Sequence, residues 1–340
     1  MTSGGSMKYL FIMNPNAGKG KAKELITKAI PSLPMREDCI LYETIGPRDA
    51  VTYVRDWCKE HTGEEARFIA CGGDGTLNEV INGIMFSGRE DVSVTCFPCG
   101  SGNDFVKIFG DKEKLLDIGK LLTAPTIKMD MIKVTNLSEP DLDFGEEVSG
   151  NPGMGPIDER VRYCGNIINF GFDTEVLKKV IALRKKIGRG GPDLYLAGVV
   201  HALHSAMRNH FKVYADGDLL NPNGEALLCD LANGQYVGGS FRCTPKAEID
   251  DGLMDVVLVD PVTKPTFVKF VKPYARGEHL DRDDVMRFIT YRKAKSVRIE
   301  ADPGFAYSLD GELIFACEFE CEVVPGAINF AVPDNRYSLR

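Results

Sequence analysis

Three short stretches combine glycines with polar or acidic side chains in a pattern suited to gripping an anion. The first, Asn14-Pro15-Asn16-Ala17-Gly18-Lys19-Gly20, follows a hydrophobic run. Glycines there let backbone N–H groups approach a phosphate, and the start of a helix adds the positive end of its dipole. The spacing is not that of a Walker A loop, and an ordinary strand-to-helix turn could hold the same residues. The second, Gly72-Gly73-Asp74-Gly75-Thr76-Leu77-Asn78-Glu79, sets one carboxylate in a bend with little side-chain cover. That suits a group meeting a metal ion, a phosphate or an acceptor hydroxyl. Thr76 and Glu79 also read as a Thr-x-x-Glu capping box, which explains neither the glycines nor Asp74. The third is Gly100-Ser101-Gly102-Asn103-Asp104-Phe105. One such loop says little. Three at one edge of a parallel sheet, where ligands bind, exceed what turn chemistry requires.

Two Asp-Gly steps lie between alternating runs: Asp310-Gly311 before Glu312, and Asp250-Asp251-Gly252-Leu253. Each reads first as a hairpin turn. Most of the cysteines sit in apolar runs, as buried thiols do. Cys96-Phe97-Pro98-Cys99 has CxxC spacing, but Cys317 and Cys321 fall in a strand pattern and give it no matching loop pair.

The elements that would carry the three loops alternate in type. Residues 8–13, 39–42, 67–71 and 92–97 read as strands, and the segments between them carry apolar residues at helical spacing. Such alternation implies a parallel sheet covered on both faces. Beyond about residue 125 strand-like runs dominate: 127–134, 161–170, 211–215, 226–232, 254–259, 296–300, 306–309 and 313–324. Helical segments near 174–186 and 193–209 interrupt them. The expected fold is an α/β, Rossmann-like N-terminal domain over residues 7–127 and a mostly antiparallel β domain over 128–324, α+β overall. Residues 325–340 would pack back on the first domain. The segment 136–160, rich in Gly, Pro and acids, reads as an exposed loop.

Acidic residues outnumber basic ones 49 to 41, a net charge of −8 over 340 residues. That argues against a nucleic-acid partner, which needs a broad basic face. The composition is that of a globular chain of about two domains. The longest apolar stretch, around 194–203, is too short to span a bilayer. Residues 1–6 lack the features of a signal peptide and read as an added leader before Met7. A cytoplasmic protein is the expectation.

Asn14–Gly20, Gly72–Val80 and Gly100–Phe105, in this order and spacing, resemble the catalytic domain shared by diacylglycerol kinases, sphingosine and ceramide kinases and bacterial lipid kinases. The likeness extends to Leu309-Asp310-Gly311-Glu312. The GGDG loop alone also occurs in NAD kinases and phosphofructokinases. The resemblance implies an NAD kinase-like nucleotide domain, a β-sandwich, and ATP in the cleft between them. It implies that Asn14, Pro15, Asn16, Ala17 and Gly18 line the nucleotide site, with Thr44, Ser101 and Asn103 nearby. Gly73, Asp74, Gly75, Thr76, Leu77, Asn78 and Glu79 would hold the phosphates and Mg²⁺, with Asp74 and Asp104 anchoring the ion. Glu312, beside Asp310, matches the proton acceptor proposed in bacterial members, whereas sphingosine kinases give that role to the residue matching Asp74. A structural Mg²⁺ is implied at Asp251 with the carbonyls of Glu248 and Leu253.

The implied activity is transfer of the γ-phosphate of Mg·ATP to a lipid hydroxyl, most readily that of diacylglycerol. An NAD kinase-like enzyme, or a nucleotide-binding regulator that has lost catalysis, are the alternatives. The lipid requires transient contact with a membrane surface. Lys178, Lys179, Arg184, Lys185, Lys186 and Arg189, beside Val176, Val180, Leu183 and Ile187, fit an interfacial helix; a packed helix with a solvated basic face would show the same pattern. The 194–203 helix could line an acyl-chain pocket or the core. Analogy with bacterial relatives suggests a homodimer.

Overall fold

The computed structural model describes residues 6–110, 112–138, 160–188, 192–239 and 241–333. The 139–159 part of the Gly/Pro/acid loop, Arg189 and residues 334–340 lie outside the described residues. The chain divides into two compact units. One takes the chain up to Met131 and from Val324 onward, and the other holds Ile132 and the stretch from Arg160 to Val323.

The first unit runs β1 (Lys8–Met13), α1 (Lys21–Ala29), β2 (Cys39–Glu43), α2 (Asp49–Glu60), β3 (Ala66–Gly72), α3 (Asp74–Ser87), β4 (Ser93–Pro98), α4 (Ile118–Thr123) and the first half of β5 (Thr126–Asn136). β2, β1, β3 and β4 lie side by side, all parallel. Every residue of β3 and β4 is buried, as a strand covered on both faces demands. Ala50, Val51, Val54 and Trp57 of α2 and Leu77, Val80, Ile81 and Ile84 of α3 form the buried helical stripes. Gly83 lets these helices touch: a Cβ there would stand 2.7 Å from Val54 Cβ and 2.9 Å from the Val51 carbonyl. The strand order reverses direction at β1, so the loops after β1 and β3 flank the point where such sheets bind ligands.

The second unit continues with β6 (Val161–Cys164), β7 (Ile167–Gly171), α5 (Phe172–Ile187), α6 (Pro192–Ser205), β8 (Asn209–Ala215), β9 (Asp218–Leu219), β10 (Glu225–Ala226), β11 (Leu228–Ala232), β12 (Met254–Val259), α7 (Lys264–Ala275), α8 (Asp283–Met286), β13 (Ile289–Ala294), β14 (Ser296–Ala301), β15 (Ala306–Leu309), β16 (Glu312–Phe315) and the start of β17 (Glu318–Ala331). One antiparallel sheet has the order β13-β12-β11-β7-β15-β16. In the other, β8, β14 and β17 are successive antiparallel neighbours. Phe170, Leu231 and Val256 of the first sheet meet Val213, Ile299 and Phe319 of the second in one buried cluster. The domain is therefore a β-sandwich. The far face of the six-stranded sheet is covered by α5, α6 and α7 through Phe172, Val176, Ala202 and Phe270.

The single strand expected over 161–170 is two strands in different sheets. β6 pairs with β5, β7 pairs with β11 and β15, and the chain turns a corner at Gly165-Asn166. The run expected over 313–324 likewise divides into β16 and β17. Helix α7 went unread because prolines stand at both its ends; Pro265 occupies the first turn after the Thr263 cap, a position that needs no N–H. The apolar stripe expected on α5 belongs mainly to the core. Val176 and Val180 are buried, and Ile187 at 48% exposure is what remains open beside exposed Arg184, Lys185 and Lys186. Lys178 pairs with Glu175 at 2.7 Å.

Candidate functional site

In the first unit the three glycine loops leave the carboxyl ends of β1, β3 and β4 and are tied to one another by backbone. The Asn14 N–H donates to the Cys71 carbonyl at 3.1 Å, joining the first loop to β3. Both Cys99 N–H, at 2.7 Å, and Gly100 N–H, at 3.1 Å, donate to the Gly72 carbonyl. Asn103, at φ 49°, clamps Gly100 from the other side: its amide donates to the Gly100 carbonyl at 2.7 Å, and its Oδ1 accepts the Gly100 N–H at 3.0 Å. The two loops approach so closely that a Cβ on Gly100 would stand 2.4 Å from Gly73 Cα, a backbone atom that cannot swing away. Gly100→Ala is therefore expected to cost about 1–3 kcal/mol of stability through overpacking. A thermal melt within a degree of wild type would refute this contact.

The carboxylates converge on the third loop. Asp74 opens α3, and its Oδ1 accepts the Phe105 N–H at 3.2 Å. A Cβ on Gly102 would meet Asp74 Oδ2 at 3.1 Å and Asp104 Oδ2 at 3.4 Å, so both acids face the same glycine. Lys107 Nζ holds Asp104 Oδ1 at 2.5 Å. Two half-buried carboxylates beside a helix N-terminus, with no side chain between them at Gly102, form an oxygen donor set that fits Mg²⁺ and a polyphosphate.

The remaining nucleotide-side residues cluster with these loops. Asn14 Oδ1 accepts the Asn16 N–H at 3.0 Å, and the Ala17 N–H returns to the Asn14 carbonyl at 3.0 Å, shaping the bend that Gly18 continues at φ 59°. Thr44 lies one strand over and donates its N–H to the Met13 carbonyl at 2.9 Å. Gly75, Thr76, Leu77, Asn78 and Glu79 form the first turns of α3. The expected capping box is not made. The helix starts at Asp74, ahead of Thr76, no side chain caps it, and Glu79 Oε1 accepts the Arg48 N–H at 2.9 Å instead. Ser101 is exposed at the loop tip.

Asp310 and Glu312 belong to the second unit. Asp310, at φ 49°, and Gly311, at φ 92°, make the tight β15–β16 turn. The Asp310 carboxylate accepts the N–H groups of Gly165, Asn166 and Ile167 at 3.0–3.1 Å and the Cys164 thiol at 3.0 Å. It thereby builds the corner between β6 and β7. Glu312 is exposed just beyond the turn. At the implied structural-metal position, Asp251 Oδ1 accepts the Leu253 N–H at 3.0 Å, while Lys293 Nζ lies 2.5 Å from Asp251 Oδ2 and 3.3 Å from Asp255 Oδ2. A lysine thus supplies positive charge to Asp251, and Glu248 is half-buried nearby in sequence. Among the described residues no group of three or more His, Cys, Asp or Glu is arranged for a metal. Burial raises the Cys96 and Cys99 thiols, the latter to about 11, which keeps them protonated.

The sequence reading missed two supports of the site. Lys107 stands three residues after Asp104, a spacing that signals an ion pair only if the segment turns helically. Asp49 Oδ2 accepts the Tyr42 hydroxyl and the Ile45 N–H, both at 2.9 Å, pinning the loop that carries Thr44. Burial, reinforced by Asp49, pushes the Tyr42 phenol up to about 12.

The family model described as diacylglycerol kinase catalytic domain matches residues 8–134, and that of the YegS C-terminal NAD kinase beta sandwich-like domain matches residues 166–332. The chain is 28% identical over 308 residues to a diacylglycerol kinase of Bacillus subtilis, covering 88% of each. It is 26% identical over 268 residues to a "Probable lipid kinase YegS-like" of Alcanivorax borkumensis, covering 78% of each. A crystal structure of a diacylglycerol kinase from Bacillus anthracis has the same fold, with TM-score 0.64 at 22% identity over 96% of this chain and 97% of that one. Together the two family models span most of the chain, which belongs to the diacylglycerol kinase and YegS-like lipid kinase family.

Proposed function

We propose that the chain transfers the γ-phosphoryl group of ATP to the primary hydroxyl of a lipid, diacylglycerol being the acceptor that the names of several relatives give. The observation that supports this most is the convergence of Asp74 and Asp104 on Gly102, between two loops locked at the switch point of the sheet. Asn14 to Gly18, Thr44, the 73–79 turn, Ser101 and Asn103 would bind the nucleotide, and Asp74 and Asp104 would hold Mg²⁺. Bound there, the ion would neutralise charge on the phosphate oxygens. The protein's own part is to fix the phosphates with backbone N–H groups, align the acceptor, and take its proton. Glu312 suits the proton-accepting role because it is exposed, whereas the Asp310 carboxylate is engaged by the β6–β7 corner.

The test is transfer from labelled ATP to diacylglycerol, a long-chain amino alcohol and NAD in parallel. Label in a lipid product is expected; label in NAD alone would sink the reading. Glu312→Gln is expected to lower kcat by about 10²–10⁴-fold with nucleotide affinity unchanged in calorimetry. Near-normal turnover would remove Glu312 from the proton transfer. No described helix is long and apolar enough to cross a membrane, so the lipid would be met at its surface. Arg184, Lys185, Lys186 and Ile187 at the end of α5 are the side chains for that contact.

A further inference from the structure

The third glycine loop carries its own cation. Lys107 Nζ lies 2.5 Å from Asp104 Oδ1, on the carboxylate whose other oxygen faces Gly102 together with Asp74 Oδ2. Local structure makes the pair. Phe105–Phe109 form a short 3-10 turn, and the Lys107 N–H donates to the Asp104 carbonyl at 3.3 Å, so residues three apart share one side of the turn. Phe105, Val106 and Ile108 are buried, and the Phe105 ring meets Phe330 edge-on with centroids 5.3 Å apart. The backbone that bears Lys107 is thereby anchored, while its side chain is 30% exposed and that of Asp104 13%. A compact ammonium on a flexible four-carbon stem can change partner without moving that backbone.

Charge decides what the loop can hold. Asp74 Oδ1 accepts the Phe105 N–H, and Asp104 Oδ1 takes the ammonium. Facing Gly102 is one oxygen from each acid, and the three side chains together carry a single negative charge. Mg²⁺ gives up its water reluctantly and is usually held by one or two carboxylates plus substrate phosphates. An ammonium on Asp104 opposes a bare divalent ion by competing for the same carboxylate. A polyphosphate reverses that balance. It supplies further anionic oxygens, and it offers Lys107 a new partner, since lysine binds phosphate as a point charge. A partly exposed ion pair costs little to exchange.

We propose that Lys107 is a positioning residue that exchanges Asp104 for a phosphate oxygen, so that the two acids accept Mg²⁺ in company with the nucleotide and not ahead of it. The proposal rests on the kinase reading and adds an order of assembly to the same site. A lysine that merely braced the turn would produce no such linkage.

Calorimetry of the full chain provides the test. The protein is titrated with MgCl₂ alone and, in EDTA, with adenylyl imidodiphosphate, a non-hydrolysable ATP analogue. K107M is expected to bind MgCl₂ at least about tenfold tighter than wild type, and the metal-free analogue at least about fivefold weaker, shifts of the usual size for coupling between two ligands. The opposite signs are the signature, because a loosened turn would weaken both. K107R keeps the charge and is expected to restore both affinities, and D104N/K107M is expected to lose the gain in Mg²⁺ binding. K107Q takes the place of K107M should the latter not fold. Unchanged Mg²⁺ affinity, a parallel fall in both affinities, or a gain that persists in D104N/K107M would overturn the proposal. Those results beside tight analogue binding by wild type would leave the kinase reading intact, whereas wild type that binds the analogue neither with nor without Mg²⁺ would sink both.

Discussion

Asp74→Asn is expected to lower phosphoryl transfer by about 10³-fold, with a melting temperature close to that of wild type. The substitution keeps the shape of the side chain and an oxygen for the Phe105 N–H, so the link between the second and third loops survives. What it removes is negative charge at the point where two carboxylates face Gly102. Charge stabilisation of that kind is worth several kcal/mol, and each 1.36 kcal/mol is tenfold in rate. The decisive measurement is kcat/KM beside a thermal melt. Activity within tenfold of wild type would show that Asp74 does not meet the ion. A parallel collapse in Tm would show that it serves the fold instead.

The second large effect is structural. Lys293→Met is expected to lower the stability of the second unit by about 3 kcal/mol, because it leaves a buried carboxylate without its cation. Asp255 is fully buried; Tyr291 donates to it at 2.6 Å and Lys293 Nζ lies 3.3 Å away, bridging it to Asp251. For a unit of this size the loss amounts to a Tm drop of about 10 °C. The pH dependence has a definite sign. Burial raises the folded pKa of Asp255 above its ordinary value, and without Lys293 it rises further. With a folded pKa raised above the unfolded one, the ionised carboxylate opposes folding and protonation relieves that cost, so the deficit of the variant should shrink between a neutral and an acidic pH. An equal deficit at both pH values would show that Lys293 acts by packing. Recovery of the variant in millimolar Mg²⁺ would return a metal ion to Asp251.

The α/β half was legible because its signals are local. A strand buried on both faces announces itself as an unbroken apolar run, and glycines mark where backbone must approach backbone, as Gly73 and Gly100 do. The second half was legible in class and not in detail. Its corner at Gly165-Asn166 is set by Asp310, whose partners lie some 143 to 146 residues away in sequence, so nothing near 161–170 divides that run. Thr76 and Glu79 matched a capping pattern, but Asp74 starts the helix earlier and Glu79 is taken by Arg48. The stripe on α5 has the spacing of an interfacial helix, yet α6 covers it: Gly198 lies so close that a Cβ there would stand 2.8 Å from the Val176 carbonyl.

The grip of Asp310 on the β6–β7 corner bears on how inactive variants should be interpreted. An acid whose oxygens already serve three amides and a thiol behaves as a rivet, so a kinetic survey that substitutes it would register a dead enzyme and invite the wrong label. Proteolysis or hydrogen exchange at residues 164–167 would expose the loosened bend, whereas the same probes would leave a Glu312 substitution indistinguishable from the parent.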